Sequence, residues 1–257
     1  MAESEKTINR RGFIKLAVAG AAGAAVLRAM RYARASSGEG EAGEHQWAMV
    51  IDQGKCTGCG YCTLACRAHN DVSPDISWNQ VVPSGEIAGK MTYIARPCMQ
   101  CQHAPCVDVC PVKASEYRPD GIVMVDYDKC IGCRYCEVAC PYGARSFNWE
   151  SFTGPNPAVP EWGQPEIERR PRGVVEKCSF CYHRIDRGLA NGRLPGVDRD
   201  ATPACVGVCP TGARLFGDLN DPESNVSQIL REHNSFRLRE DLGTGPRVNF
   251  LPPDSEA

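Results

Sequence analysis

Sixteen cysteines are the residues able to do chemistry, and they fall into four groups of four. These are Cys56, Cys59, Cys62, Cys66; Cys98, Cys101, Cys106, Cys110; Cys130, Cys133, Cys136, Cys140; and Cys178, Cys181, Cys205, Cys209. The third group reads C-x2-C-x2-C-x3-C and runs straight into Pro141. That is the spacing of a [4Fe–4S] ligand loop, whose fourth cysteine serves the neighbouring cluster. Three thiolates on one tight loop can each reach a different iron of a small cube, and the fourth, on the helical turn that follows, points away toward a second cube. The second group differs only in having four residues instead of two before Cys106. An even cysteine count could also mean disulfides. Neighbours separated by two or three residues suit one shared inorganic centre better than eight separate bridges. Zinc is the other alternative, since C-x2-C pairs build four-thiolate zinc sites. It could account for Cys178, Cys181, Cys205 and Cys209 taken alone, but not for runs that crowd four thiolates into eleven residues.

A cube held by four cysteines offers no open iron to a substrate. No Ser-His-Asp or Cys-His constellation stands out, and all sixteen thiols are committed as ligands, so no catalytic residue is expected. His69, His103 and His183 lie near ligand groups and read as hydrogen-bonding or surface residues. The expected role is electron transfer by a non-catalytic chain.

An internal repeat positions the ligands. Cys110-Pro-Val-Lys-Ala114-Ser-Glu-Tyr117, Cys140-Pro-Tyr-Gly-Ala144-Arg-Ser-Phe147 and Cys209-Pro-Thr-Gly-Ala213-Arg-Leu-Phe216 follow one template. Proline stops the ligand helix, and the aromatic opens a strand that packs on the cluster. Cys66 departs from the template, being followed by Arg67. Trp47–Asp52 reads as the strand feeding the first loop, where Gly54, Gly58 and Gly60 let the backbone fold closely. Residues 71–90, with Pro74, Trp78, Pro83 and Gly85, read as a surface-loop insertion. Residues 91–96 form a strand, Pro119-Asp120-Gly121 a turn and residues 122–126 the returning strand. Residues 91–150 thus read β-loop-α-β-β-loop-α-β, a complete ferredoxin-like unit.

The flanks divide the chain further. Residues 1–35 read as an export signal: Asn9-Arg10-Arg11-Gly12-Phe13-Ile14-Lys15 has the twin-arginine pattern and precedes a weakly apolar run from Leu16 to Leu27. Those twelve residues are too few for a membrane-spanning helix, which needs about 20. Residues 36–90 form the first half of an outer module, 91–150 the inner two-cluster module, and 151–176 a proline-rich connector expected to run extended over a surface. Residues 177–218 form the second half of the outer module. A helix is expected from Tyr182, and the 23 residues between Cys181 and Cys205 suggest a docking surface. The tail, 219–257, holds a helix capped at Asp221 with Pro222 at its first position. A hairpin of 235–239 with 247–251 follows. The formal net charge is −2, with 29 basic and 31 acidic residues. No basic patch suggests nucleic acid, and no later apolar stretch could span a membrane.

Four cysteine groups in this order, the twin-arginine pattern, Lys177-Cys178-x2-Cys181 and Leu242-Gly243-Thr244-Gly245-Pro246 together resemble one family. It is that of the four-cluster ferredoxin-like electron-transfer subunits of respiratory complexes, of the dimethyl sulfoxide, polysulfide and tetrathionate reductase type and their relatives. The resemblance implies an α+β fold of two nested ferredoxin-like βαββαβ modules binding four [4Fe–4S] clusters. It implies an inner pair held by Cys98, Cys101, Cys106 with Cys140 and by Cys130, Cys133, Cys136 with Cys110. The outer pair would be held by Cys56, Cys59, Cys62 with Cys209 and by Cys178, Cys181, Cys205 with Cys66. It further implies a molybdopterin-type catalytic subunit and a polytopic quinone-reactive membrane subunit as partners, on the periplasmic side of the cytoplasmic membrane. A non-molybdenum complex with a multihaem cytochrome, a hydrogenase or a sulfite-linked enzyme stands as the alternative. A free diffusing ferredoxin and a colourless zinc module are the remaining readings.

Overall fold

The computed structural model describes residues 43–87 and 89–253, so the twin-arginine segment and most of the tether after it lie outside the described residues. Among the described residues, nine strands and six α-helices are spread thinly between long ligand loops: β1 Trp47–Asp52, α1 Tyr61–His69, β2 Gln80–Ile87, β3 Lys90–Arg96, α2 Pro105–Asp108, β4 Ser115–Tyr117, β5 Val123–Val125, α3 Tyr135–Ala139, β6 Ser146–Phe147, β7 Val175–Glu176, α4 Tyr182–Ala190, α5 Ala204–Gly207, β8 Arg214–Asp218, α6 Asn225–Glu232 and β9 Val248–Leu251.

The strand pairing follows the cysteine groups. A strand leaving the fourth cysteine of one group pairs antiparallel with the strand entering the next group. Thus β2 joins β3 between Cys66 and Cys98, β4 joins β5 between Cys110 and Cys130, and β6 joins β7 between Cys140 and Cys178. The circuit is closed by β8, which leaves Cys209 and pairs antiparallel with β1, the strand that enters Cys56. A parallel partner, β9, lies on the other edge of β1.

The order of elements within residues 91–150 is the one read from the sequence, but its outermost strands pair outside that span, β3 with β2 and β6 with β7. Residues 80–87, expected in a surface loop, form a strand. Pro83 and Gly85, which look like breakers, sit at a bulge in a two-stranded ribbon, where a missing N–H costs no ladder bond.

The central sheet is buried on both faces. Trp47, Met49 and Ile51 of β1 pack into the cluster of apolar residues that also holds eight of the cysteines. Ala48 and Val50, on the alternate face, pack under Val226 of α6. That helix starts later than expected. Ser224 is its cap, accepting the Ser227 N–H at 3.2 Å, and Asp221 instead closes the preceding turn on the Glu223 N–H. The C-terminal hairpin shrinks to a single bridge, Phe236 to Phe250, and β9 pairs along its length with β1 instead.

The connector does not simply run over a surface. It lacks a helix, yet it is fastened to the end of α1. Asn156 donates to Asp71 Oδ1 at 2.9 Å, Arg169 grips the same carboxylate through Nε at 2.9 Å and Nη2 at 3.0 Å, and the Glu166 N–H donates to the His69 carbonyl. Among the described residues no helix is long and apolar enough to cross a membrane.

Candidate iron–sulfur sites

Each ligand loop is shaped by backbone that most side chains avoid. The second residue after the first cysteine of every group, namely Gly58, Gln100, Gly132 and Phe180, has φ between +48° and +73°, a left-handed conformation that reverses the chain between ligands. Gly132 must also be bare, because a Cβ there would lie 2.2 Å from the Gly173 carbonyl oxygen.

The repeat that follows the fourth cysteine has a physical purpose. Its third residue (Lys113, Gly143 or Gly212) is again left-handed, and this turns the next N–H back onto the sulfur. The Ala114 N–H reaches Cys110 Sγ at 3.2 Å and Ser115 N–H reaches it at 3.4 Å, and the Ala144 and Ala213 N–H groups do the same for Cys140 and Cys209. The aromatic at the end of the template lies within or ends its strand instead of opening it.

The departure at Cys66 has its own reason. Without the proline, α1 continues past the ligand to His69, and Asn70 caps it. The Asn70 side chain donates to the Cys66 carbonyl at 3.0 Å and to the sulfurs of Cys66 and Cys181 at 3.8 and 3.6 Å. Arg67 then anchors the following loop by donating to the carbonyls of Pro74 and Ile76.

All sixteen cysteines are free thiols; two foursomes each line one cavity, and the others lie near one another in part. A first set, Cys56, Cys59, Cys62 and Cys209, lines one cavity. A second, Cys66, Cys178, Cys181 and Cys205, lines another. In the third, Cys101 faces Cys98, Cys106 and Cys140. In the fourth, Cys136 faces Cys130, Cys110 shares the Arg145 guanidinium with Cys136, and Cys133 stands exposed at its loop tip. Cys209 therefore parts company with Cys205, so the four-thiolate zinc site imagined for Cys178, Cys181, Cys205 and Cys209 is not assembled. Among the described residues no three Cys, His, Asp or Glu side chains converge closely enough to share one metal ion.

The sets form a row. Cys62 of the first faces Cys205 of the second, Cys178 of the second faces Cys98 of the third, and Cys106 of the third faces Cys136 of the fourth. All four cysteines of the second set are buried, whereas the first and fourth sets each have an exposed member, Cys59 and Cys133.

This donor chemistry fits iron–sulfur cubes. Burial, with the neighbouring sulfurs adding to it, pushes Cys101 and Cys178 up to about 12 and Cys205 to about 11. Thiols stacked like this in an apolar core would not ionise side by side unaided. A cationic iron centre deprotonates its thiol ligands outright, which makes such a stack favourable. Thr244, from the Leu242–Pro246 stretch, hydrogen-bonds Cys101 and Tyr142, the latter at 2.5 Å, and its carbonyl accepts the His103 N–H. Fully buried Lys177 donates to the carbonyls of Val123 and Cys178. His69 and His183 are hydrogen-bonding residues, both held by Glu166 at 2.8 and 3.1 Å.

The chain matches two different family models described as 4Fe-4S dicluster domains, over residues 89–154 and 129–213, and a 4Fe-4S binding domain family over residues 47–68. It is 43% identical to a putative dimethyl sulfoxide reductase iron-sulfur subunit of Halobacterium salinarum, over 80% of this chain and 78% of that protein. It belongs to that family of reductase iron–sulfur subunits. It is also 43% identical to the iron-sulfur cluster-binding subunit of a menaquinone reductase of Nitratidesulfovibrio vulgaris, over 80% of this chain and 88% of the relative. An Hdr-like menaquinol oxidoreductase iron-sulfur subunit of Archaeoglobus fulgidus is 40% identical over 95% and 97%. Family members are iron–sulfur subunits of reductase complexes and carry [4Fe–4S] clusters, so this chain is an electron-transfer subunit and not the catalytic one.

Sequence reasoning missed Asn70, Thr244, Arg145 and Arg214, all of which touch ligand sulfurs. The two arginines could have been found: they occupy the same place in two copies of the repeat.

Proposed function

We propose that the chain is a linear relay of four [4Fe–4S] sites. Cys56, Cys59, Cys62 and Cys209 hold the first; Cys66, Cys178, Cys181 and Cys205 the second; Cys98, Cys101, Cys106 and Cys140 the third; Cys110, Cys130, Cys133 and Cys136 the fourth. The carrying observation is the row of sets, buried in the middle and exposed at Cys59 and Cys133. A bound cube takes up and gives back one electron. The protein excludes water from the inner positions, orients the sulfurs by backbone N–H groups, and leaves the two ends open to partners. Exchange of fourth cysteines between Cys66 and Cys209, and between Cys110 and Cys140, relates the sets as two nested ferredoxin-like modules, the outer one split between residues 36–90 and 177–218.

At one end the partner is a quinone-reactive polytopic membrane subunit, a reading supported by the menaquinone and menaquinol names of two relatives. At the other end is a molybdopterin-type catalytic subunit, on the periplasmic side of the membrane, reached by the twin-arginine route. A second reading keeps the relay and gives it a partner complex without molybdenum, such as a multihaem cytochrome, a hydrogenase or a sulfite-linked enzyme. Metal analysis of the intact complex distinguishes the two: molybdenum or tungsten supports the first, covalent haem without either supports the second.

Iron and acid-labile sulfide per chain, measured on anaerobic material, should equal four clusters' worth. Zinc in their place would sink the relay. The ligand wiring is tested separately by Cys66→Ser, which should disturb the second site while the third and fourth keep their spectra. Loss of the third and fourth sites would refute the wiring.

A further inference from the structure

Five residues beyond Cys140 and five beyond Cys209, the repeat places Arg145 and Arg214. Both side chains are buried, at 3% and 4% exposure. Of the other buried arginines, Arg170 pairs with Glu176 at 2.6 Å and Arg184 with Glu166 at 2.6 Å, while Arg247, which hydrogen-bonds no ligand sulfur, reaches only the Asp120 carbonyl at 3.5 Å. Among the described residues neither Arg145 nor Arg214 has a carboxylate partner. Arg145 donates to Ser115 Oγ at 2.7 Å and to Cys106 Sγ at 3.1 Å, and its Nε has no partner. Arg214 donates to Asn79 Oδ1 at 2.6 Å and, more distantly, to Cys205 Sγ and Met49 Sδ, both at 3.5 Å.

A guanidinium in a protein stays protonated, and a buried charge without a counter-charge is strongly unfavourable. Among the described residues the opposite charge facing them comes from the sulfur sets. Arg145 faces Cys106 and Cys98 of the third set and Cys136 of the fourth, with Cys110 of the fourth also beside it. Arg214 faces Cys205 and Cys178 of the second set and Cys62 and Cys209 of the first. Each cation therefore sits at the seam between two neighbouring sets.

We propose that Arg145 and Arg214 are shared counter-ions, each raising the reduction potential of both sites in its pair, so that potentials are set two by two. This rests on the ligand assignment above. One-electron reduction adds a negative charge, and a fixed cation close by in a medium of low dielectric favours the reduced form. The cation's attraction acts on each site of the pair independently, while the first electron adds its own repulsion against the second. A hydrogen bond to Cys106 alone would tune only the third site; a shared charge tunes the third and fourth together.

The test is an anaerobic dithionite titration of the full chain, followed by electron paramagnetic resonance, with iron and sulfide counted on the same samples. Arg145→Gln should shift the reduction equilibrium of the third and fourth sites by about tenfold or more toward the oxidised form, 59 mV per tenfold for a one-electron couple. The first and second sites should stay put. Arg214→Gln should do the reverse. Asn79→Asp leaves Arg214 in place and sets a carboxylate against its Nη2, so it should lower the first and second sites as Arg214→Gln does. Arg145→Lys and Arg214→Lys keep the charge and should load fully with potentials near the wild type.

Fully loaded Arg145→Gln or Asn79→Asp protein with unmoved potentials would overturn the proposal. So would a shift confined to one site of a pair, or Lys variants that fail to load, since these mark a role in geometry alone. Gln variants that fail to load beside Lys variants that load normally support the charge role. Wild-type protein holding fewer than four clusters would refute the ligand assignment instead.

Discussion

At the scale of single residues, the ligand loops depend on conformations that few residues tolerate. Gly132, at φ +68° and with the Gly173 carbonyl where a Cβ would go, is the sharpest case. Gly132→Ala should cost roughly 3 kcal/mol or more, from left-handed strain plus overlap. The loss should fall on the fourth site, read as missing iron and sulfide with the remaining sites' spectra retained; a fully loaded variant of normal stability would contradict this. Lys113 is a different case. It holds the same left-handed position as Gly143 and Gly212, so the repeat tolerates a side chain there, because nothing but solvent lies beyond it.

At the scale of elements, the connector is fastened through two carboxylates, Asp71 beyond the end of α1 and Glu166, which joins α1 to α4. Burial pushes the Glu166 carboxyl up, but hydrogen bonds from His183 and His69, with the Arg184 guanidinium, outweigh it and hold it well below the ordinary carboxylate range. A depressed folded-state value means that its contribution is complete above the ordinary carboxylate range and is lost as pH falls toward the folded value. Cluster retention should therefore weaken in acid below about pH 4.5. Glu166→Gln should be less stable at neutral pH by about 2 kcal/mol and show a flatter acid dependence. Absorbance loss at fixed temperature across pH measures both. An unchanged acid profile in the variant would count against the fastening.

Much of this scale was legible in the sequence and some was not, for identifiable reasons. The strand Trp47–Asp52 and the helix beginning at Tyr182 were readable because apolar runs and glycines bound them cleanly. The strand Gln80–Ile87 was hidden by Pro83 and Gly85, since an exposed two-stranded ribbon needs no apolar alternation to betray it. The tail was misread because Phe236 and Phe250 make only a single bridge, while the true partner of Val248–Leu251 lies two hundred residues earlier in the chain. The family resemblance implies the four cysteine sets, and the two foursomes it puts in the outer pair each line one cavity. Their order in space was not legible, because nothing in spacing says that Cys62 faces Cys205 or that Cys178 faces Cys98.

At the scale of the whole molecule, the apolar core and the cysteines are one body: Cys62, Cys66, Cys98, Cys101, Cys106, Cys136, Cys178 and Cys205 are among its buried members. Regular structure is sparse, and several hairpins are only two or three residues deep. Stability must then come largely from what the thiols bind, as in other domains where ligation and folding are coupled. Chelation or ferricyanide bleaching should abolish the cooperative thermal transition and raise protease sensitivity across the described region. A cluster-free preparation that still melted cooperatively would contradict it.

The placement of β1 bears on how the polypeptide is made. Its residues Ala48 to Ile51 are wholly shielded from solvent, yet both of its hydrogen-bonded neighbours, Arg214–Asp218 and Val248–Leu251, are synthesised long after it. Until those segments emerge this greasy ribbon has two bare edges. A nascent chain stalled before residue 214 would present that ribbon to any chaperone or to its own copies. Synthesis of β8 and β9 is thus the event that covers both edges of the ribbon.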